Sequence, residues 1–455
     1  MTGINLDENQ QVMVSSQPLA ASDKRAKKVL TKLAILVTIS LFAFGLVKVV
    51  IPRFRQAQPP VELNYWGLWE PEEAIQGVIS EYEASHPKVK INYQQHSPKD
   101  YRERLQSALA RGEGPDLFRY HVTWVPMLKN ELETVPGSVM SSQQIESSFY
   151  PVAWGNLRWG TSYVGIPLEV DTLALFYNEE IFQQAGKLPP KDWNELRQLA
   201  SSLTIRETEG KIRTAGVALG TTGNVDHWSD ILALMMLQNG ADLTKPTDQL
   251  AEDALNWYTL FDKTDRVWDE SLPNSTLAFA TGKVAMYFGF SWDVFEIQNI
   301  NKNLRFKVVP VPQLPGTEIN WASFWVEGVA KKSKNTKEAW GFLQYLTSSA
   351  VMEKMYQTQA NLRAFGEPYA RVEMADKVLA NPLAAVFISQ AAKAKTWYLC
   401  SRTFDNGINE KMIKYFEDAV NAVNSGKTAK EALETASAGV NQLLTQYGLV
   451  SGLVR

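Results

Sequence analysis

The chain has 455 residues, of which 46 are lysine or arginine and 49 are aspartate or glutamate, so its formal net charge is -3. This length predicts two or three domains, and the charge balance lacks the basic excess typical of nucleic-acid-binding proteins. The single cysteine, Cys400, excludes an intramolecular disulfide, and no two of the 4 histidines have zinc-ligand spacing, so neither a metal nor a cofactor is predicted.

The N-terminal region predicts a membrane anchor. Residues 1–32 are polar and end in a basic cluster, which indicates a disordered cytoplasmic tail, and the apolar stretch 33–51 is long enough to span a bilayer as a helix. The basic residues before this stretch outnumber those after it, so we expect a single-pass protein of the cell membrane with its N-terminus inside. Residues 52–60 are a short linker. A cleavable signal peptide is the alternative, since Ala43-Phe44-Gly45 is a small-x-small triplet.

From residue 61 the pattern predicts a doubly wound α/β domain. Apolar residues alternate with polar ones in the strands, recur at helical spacing between them, and are interrupted by proline or glycine. The predicted order is a strand at 61–66, a helix between Pro71 and Pro87, a strand at 89–93, a helix from Tyr101 to Leu109 and a strand from Asp116.

The rest of the chain is mostly helical by pattern. In the region of about 173–300 the clearest helices are 193–203 and 228–238, and further helices follow toward the C-terminus. Asn335 with Glu338 and Thr428 with Glu431 both have the spacing of a capping box, in which two side chains cap the first turn of a helix.

Motifs for catalysis are scarce. The sequence has no GxSxG nucleophile elbow and no HExxH zinc motif, and Gly426-Lys427-Thr428 lacks the upstream glycine of a phosphate-binding loop. Glu70 and Asp171 are the first carboxylates to consider as a pair for glycoside hydrolysis. The alternative is a glutamate at a helix start and a loop aspartate that accepts hydrogen bonds from sugar hydroxyls.

Tryptophan is the one unusual component, with 14 residues. Trp193, Trp257 and Trp340 lie on helical stripes and are assigned to the core. Several others follow predicted strands, where α/β proteins bind ligands, and a flat indole face suits the apolar face of a sugar ring. The candidate ligand contacts of this kind are Trp69, Trp124, Trp228, Trp292 and Trp325.

Several segments together resemble a known family. They are residues 163–186 (YVGIPLEVDTLALFYNEEIFQQAG), 189–196 (PPKDWNEL), 114–118 (GPDLF), 278–286 (AFATGKVAM) before Trp292, and 332–340 (KSKNTKEAW). Taken in chain order, they resemble the extracellular solute-binding proteins, family 1, of ABC importers, the group that includes maltose-binding protein. The resemblance covers about residues 61–450.

The resemblance implies a two-lobed, periplasmic-binding-protein-like α/β fold with a ligand in a hinged cleft. Lobe 1 would comprise 61–172 and about 305–360, and lobe 2 about 173–304 and 361–455. Asp171 falls where the family has a cleft carboxylate, and Trp292 where it has a stacking tryptophan. Asp116, in a matching segment, and Glu70 are further candidates. Arg363 and Arg119 are the basic residues we would nominate for a phosphorylated ligand.

We therefore expect a membrane-tethered, monomeric receptor that captures a carbohydrate and presents it to an ABC permease without breaking a bond. An oligosaccharide is the expected kind of carbohydrate. Other polar solutes remain open alternatives, namely a polyol, a glycerol phosphate or a polyamine. A surface carbohydrate hydrolase that uses Glu70 or Asp171 is the alternative from another class. A receptor that reports ligand occupancy to a membrane sensor is a third.

Overall fold

The computed structural model describes residues 20–45 and 60–449. Of the predicted segments, the tail up to residue 19, positions 46–51 of the anchor, positions 52–59 of the linker and the C-terminal residues 450–455 lie outside the described residues. The two described parts are treated separately below.

The first part is a 26-residue helix, Ala20–Gly45. Its stretch Lys27–Gly45 has a mean hydropathy of 1.7 and is not buried, so by length and composition it could cross a membrane. The helix starts before the predicted anchor, and the expectation of disorder is therefore wrong for residues 20–32. Alanine, lysine, arginine and leucine in this stretch are strong helix formers, which lets the helix extend toward the N-terminus.

The second part, from residue 61, contains two five-stranded sheets and two two-stranded sheets. Its strands are β1 Val61–Gly67, β2 Val89–Gln95, β3 Leu117–His121, β4 Arg158–Trp159, β5 Ser162–Tyr163, β6 Ile166–Pro167, β7 Ala174–Asn178, β8 Ile205–Arg206, β9 Ile212–Val217, β10 Val284–Gly289, β11 Phe306–Val309, β12 Asn320–Trp321, β13 Trp325–Val329 and β14 Ala394–Lys395.

The first large sheet has the order β2-β1-β3-β13-β6. Strands β1, β2 and β3 are parallel, as the predicted β-α-β-α-β order requires, and β13 runs antiparallel to both β3 and β6. In consequence β13 begins at the edge of the sheet where β1 and β3 end. Polar or aromatic residues that follow β1 and β3 therefore meet those at the start of β13.

The second large sheet has the order β11-β7-β10-β9-β8. Four of its strands lie in the region that the pattern predicts as mostly helical, and helices do make up most of the regular structure there, but the pattern alone marks none of these strands. All six residues of β10 are buried, so the strand reads as a continuous apolar run rather than an alternation. A run of this kind cannot be distinguished from a buried helix by periodicity.

Helices cover both sheets. They are Glu72–Ser85, Tyr101–Arg111, Val125–Leu128, Ser142–Ser148, Pro151–Leu157, Glu179–Ala185, Trp193–Leu203, Trp228–Gln238, Gln249–Lys263, Ser275–Ala280, Ser291–Ile300, Thr336–Leu346, Ser349–Leu362, Ala375–Leu379, Ala385–Ser389, Ile408–Asn424 and Ala429–Tyr447, with 3₁₀ turns at Val122–Trp124, Val372–Met374 and Ala391–Lys393.

The chain crosses between the large sheets between β6 and β7, and it returns between β11 and β13. Strand β11 falls within the predicted second segment of lobe 1, yet it pairs with β7 in the second sheet. We therefore propose that the return to lobe 1 follows Val309 rather than residue 305. The last two helices pack against Gln249–Lys263, which agrees with the proposed assignment of the C-terminal region to lobe 2.

Candidate ligand-binding site

Four aromatic rings meet where β1 and β3 end and β13 begins. Trp325 packs edge to face against Trp69 and Trp124, with ring centroids 5.5 and 5.2 Å apart. Phe404 lies 6.4 Å from Trp69. The strand register brings them together, because Trp325 pairs with His121, the last residue of β3. The sequence predicts the three tryptophans and misses Phe404, which belongs to no apolar stripe.

Only two of these rings are open to solvent. Trp69 is 36% exposed and Phe404 is 40% exposed, whereas Trp124 and Trp325 are 0% and 7% exposed. Trp325 therefore packs against the exposed ring of Trp69, and Trp124 packs in turn against Trp325. Direct ligand contact by these two buried rings stays a prediction.

A buried ion cluster lies beside the aromatic rings. Arg119 donates from Nε to Glu327 Oε1 at 2.6 Å and from Nη1 to Glu70 Oε1. Glu70 directly follows Trp69, so the guanidinium holds the loop that carries the exposed indole. The sequence suggests Arg119 only as a contact for a phosphorylated ligand, but both of its partners here are carboxylates and its side chain is buried.

Two more carboxyl groups join this cluster. Glu367 hydrogen-bonds with both Glu70 and Glu169. Burial raises the pKa of Glu70 and of Glu169, and the nearby charge of Glu367 adds to the increase. Burial opposes ionisation of Glu367 as well, but Arg363 and Arg119 outweigh it and lower the pKa of Glu367. The charge of Arg119 opposes the increase at Glu70 and at Glu169.

Arg363 connects this cluster to the second sheet. Its Nη2 lies 3.4 Å from Glu367 Oε1, and its guanidinium lies 4.6 Å from the ring centroid of Phe295. Phe295 belongs to the helix Ser291–Ile300, which begins just after β10. Arg363 thus reaches from the carboxyl cluster to the helix that carries Trp292.

Asp171 and Trp292 lie together at the start of that helix. The Asp171 carboxylate accepts hydrogen bonds from Ser291 N at 3.0 Å and from Thr172 N at 2.8 Å. Burial raises the pKa of Asp171 to about 8 despite these donors. Trp292 stacks on Phe290 with ring centroids 4.4 Å apart. The sequence predicts both residues, and their proximity agrees with a shared site.

His227 is a buried polar residue that the sequence does not single out. Its Nε2 lies 2.8 Å from Asp293 Oδ2 and its Nδ1 lies 2.9 Å from Ser401 Oγ. Although burial disfavours the charged imidazole, Asp293 and Asp230 raise the pKa of His227 to about 9. The neighbouring Trp228 is 7% exposed at the start of its helix. The predicted position of Trp228 after a loop is the only feature of the sequence that points to this region.

Arg402 joins His227 and Asp293 in a second cluster of charged side chains. Its guanidinium lies 3.0 Å from Glu296 Oε2, 3.5 Å from Asp226 Oδ1 and 3.6 Å from Asp293 Oδ1. The side chain remains 31% exposed, so part of it can reach a ligand. Nothing in the local sequence marks this residue.

A short segment joins the two clusters. Arg402 contacts Asp293 beside the second sheet, and Phe404, two residues later, contacts Trp69 beside the first. Two residues span at most about 7 Å, so the aromatic pair and the polar cluster around Arg402 lie close together. The arrangement offers exposed ring faces next to charged and hydrogen-bonding groups, which suits a ligand with both apolar faces and hydroxyls.

Asp116 does not lie near the aromatic rings or the Arg402 cluster. It lies at the start of β3, at the opposite end of the strand from Trp124. Its carboxylate accepts from Asn64 N at 2.9 Å and from Ser333 Oγ at 2.5 Å, which ties β1 to the segment after β13. A ligand contact by Asp116 is not supported by this position. Among the described residues, no group of three or more His, Cys, Asp or Glu side chains could hold a metal ion.

Comparison with known proteins places these features in a family. The sequence profile of bacterial extracellular solute-binding proteins matches residues 77–382, more than half of the chain. The chain is 27% identical to the maltotriose-binding protein of Pyrococcus abyssi over 136 residues, which are 30% of this chain and 29% of that protein. The match thus spans less than a third of that relative.

Solved structures share the fold over most of the chain. A solute-binding protein of an ABC transporter from Thermotoga lettingae, bound to α-D-tagatose, is 24% identical with a TM-score of 0.66, covering 84% of this chain and 100% of that one. The GacH receptor of Streptomyces glaucescens, solved without ligand and with acarbose, is 22% identical with a TM-score of 0.67, covering 86% and 100%. The described body therefore has the two-lobed α/β fold that the sequence predicts.

Proposed function

This chain belongs to the bacterial extracellular solute-binding proteins, and we propose that it is a membrane-tethered receptor that captures a carbohydrate and delivers it to an ABC permease. The exposed ring pair Trp69 and Phe404, next to the partly exposed guanidinium of Arg402, carries this proposal. Sugars combine apolar ring faces with hydroxyl groups, and the two kinds of side chain match those two kinds of surface.

The names of similar proteins support a carbohydrate ligand. One relative is a maltotriose-binding protein, and two structures of the same fold hold α-D-tagatose and acarbose. An oligosaccharide is our preferred ligand, because an exposed ring pair on one side and Trp292 on the other offer contact to more than one sugar ring.

The mechanism we propose is closure driven by binding. A ligand held between Trp69 of lobe 1 and Phe404, Arg402 and Trp292 of lobe 2 makes its full set of contacts only when the lobes are close together. It therefore stabilises the closed state and shifts the population toward it. Arg402 and Trp292 would contact the ligand from lobe 2 and Asp171 from the end of the first segment of lobe 1, and no bond of the ligand is broken.

The helix Ala20–Gly45 is proposed as the tether. Its basic N-terminal residues favour a cytoplasmic N-terminus, which would leave the binding body outside the membrane beside a permease. A tether of this kind keeps a monomeric receptor near its transporter without lipid modification of a cysteine.

The experiment is a fluorescence titration of the full chain in lipid nanodiscs with mono- and oligosaccharides, glycerol phosphates and polyamines. A saturable tryptophan signal with one class of sugar, lost in Trp69→Ala and Trp292→Ala and kept in Trp257→Ala, is the expected result. Trp257 lies on the helix Gln249–Lys263 against Arg197, away from the site, and is the matched control. A response limited to phosphates or polyamines would reject the carbohydrate, and recovery of a cleaved sugar would reject a pure receptor.

A further inference from the structure

A cavity of about 480 Å³ lies outside the candidate ligand-binding site. It is open to solvent on one side and is lined by residues of the helix Pro151–Leu157, the β4–β5 hairpin, the segment 122–129, Trp397 with Tyr398, and Gly448 with Leu449. The turn Val122–Trp124 separates it from the aromatic rings described above, because Val122 and Thr123 line the cavity while the Trp124 ring packs against Trp325. The size falls in the range of small-molecule sites.

Aromatic rings form part of the lining of this cavity. Four of the 15 lining residues are aromatic, and all four are only partly buried. They are Trp154, Trp159, Trp397 and Tyr398, the last two with ring centroids 5.4 Å apart. Rings arranged in this way favour a flat apolar ligand that can stack.

The charge of the lining has one sign. Lys129 and Arg158 are its two charged residues, and no aspartate or glutamate is among the lining residues. The Lys129 ammonium lies 5.5 Å from the Trp159 ring centroid and donates to the Tyr447 carbonyl at 3.3 Å. Within residues 60–449, neither cation forms an ion pair with a carboxylate.

A cation that has no carboxylate partner among the described residues, next to aromatic rings, favours a ligand that carries a negative charge. A cationic ligand would be repelled, and a neutral one would leave Lys129 without a charged partner. A ligand with an anionic group can form a charge-assisted hydrogen bond to the ammonium, roughly twice as strong as a neutral one. We propose that this cavity is a second binding site, which takes a small planar organic anion: an unsaturated ring that carries one carboxylate.

The test compares two nearly identical probes on the full chain in lipid nanodiscs by isothermal titration calorimetry, with empty nanodiscs as the blank. Indole-3-carboxylate should bind saturably, and its neutral analogue indole-3-carboxamide should bind about tenfold more weakly or not at all. Equal affinity for the two probes, or no saturable heat with the carboxylate, would overturn the proposal.

Variants assign the binding to this cavity. Lys129→Met should weaken carboxylate binding about tenfold, Lys129→Arg should largely restore it, and Trp159→Leu should weaken both probes. Lys211→Met removes the same charge from an exposed position before β9 and should leave the affinity unchanged.

A second variant, Arg158→Gln, should also weaken the binding of the carboxylate. Carbohydrate binding by Lys129→Met serves as the folding control for the Lys129→Met variant. Unchanged carboxylate affinity in both Lys129→Met and Arg158→Gln would contradict the assignment.

Discussion

The ring of Phe404 lies 6.4 Å from the ring of Trp69. The backbone of Phe404 has a φ of 52°, in the left-handed region. A bulky residue pays about 1–2 kcal/mol for that conformation. Arg402 and Asn406, on either side, also have positive φ values, 55° and 42°. Three residues with positive φ in one short segment require contacts that hold the backbone in this conformation.

Those contacts come from both sides of the site. Arg102 Nε donates to the Asp405 carbonyl at 2.7 Å from the first sheet's side, and Ser401 N donates to Asp230 Oδ2 at 3.2 Å beside the second. Strain of this kind persists where the surrounding structure determines the conformation, and it is concentrated at functional sites. These contacts therefore hold Phe404 and Arg402 in their positions within the segment 401–407.

The first prediction concerns Phe404. Phe404→Ala should weaken carbohydrate binding about tenfold, because an aromatic contact contributes about 0.5–1.5 kcal/mol beyond the area it buries. Asn406→Gly is the control in the same segment, since it relieves a positive φ without removing a ring and should keep the affinity. Calorimetric titration with the best sugar measures both. Equal affinities for Phe404→Ala and the unchanged chain would remove Phe404 from the site.

Much of the first sheet and its aromatic residues follows from local sequence. Strands β1 and β2 alternate apolar and polar residues, and proline or glycine separates them from their helices. Trp69 and Trp124 follow the carboxyl ends of β1 and β3, and ligands of α/β proteins bind at the carboxyl ends of parallel strands. The capping box at Thr428 and Glu431 is confirmed. The capping box at Asn335 is wrong, because its side chain donates instead to the Glu62 carbonyl, at 3.4 Å.

The remainder of the site has no local signal. Phe404 meets Trp69, and Arg402 meets Asp226, only because distant parts of the chain fold together. The positive φ values of Arg402 and Phe404 leave no mark in the sequence, so the segment 401–407 is read as an ordinary loop. His227 is similar: its charge depends on Asp293, which belongs to another helix.

The second prediction concerns the buried guanidinium of Arg119. Arg119→Met should lower the free energy of unfolding by about 3–5 kcal/mol, because it leaves Glu70 and Glu327 buried without their cation. Arg111→Met is the comparison, since Arg111 pairs with Glu113 at the surface and should change stability by less than about 1 kcal/mol. Urea unfolding of both variants gives the values. A loss for Arg119→Met no larger than that for Arg111→Met would show that the cluster does not depend on this cation.

The third prediction is a pH dependence that comes from His227. Its folded pKa of about 9 lies above the ordinary 6.5, so protonation stabilises the fold. This contribution is complete below pH 6.5, where the unfolded imidazole is also protonated, and it is lost as the pH rises through 9. The shift corresponds to about 3 kcal/mol.

The measurement compares the unchanged chain with His227→Gln, which keeps a hydrogen-bonding side chain but cannot take the charge between Asp293 and Asp230. The difference in their unfolding free energies should be about 3 kcal/mol larger at pH 6 than at pH 10. The nearby Arg402 stays charged throughout this range and does not contribute a titration. A difference that is constant from pH 6 to pH 10 would mean that the imidazole is neutral in the folded chain.

The fourth prediction tests the tether and its direction. Cys400 is fully buried, so the unchanged chain should resist a membrane-impermeant maleimide on intact cells and is its own blank. A cysteine introduced by Gln58→Cys, after the apolar helix, should be labelled on intact cells. A cysteine introduced by Ser16→Cys should be labelled only after the membrane is opened, because the basic residues between position 16 and the apolar stretch favour the cytoplasmic side. Labelling of Ser16→Cys from outside would reverse the proposed topology, and a mature chain whose mass lacks residue 16 would replace the tether with a cleaved signal peptide.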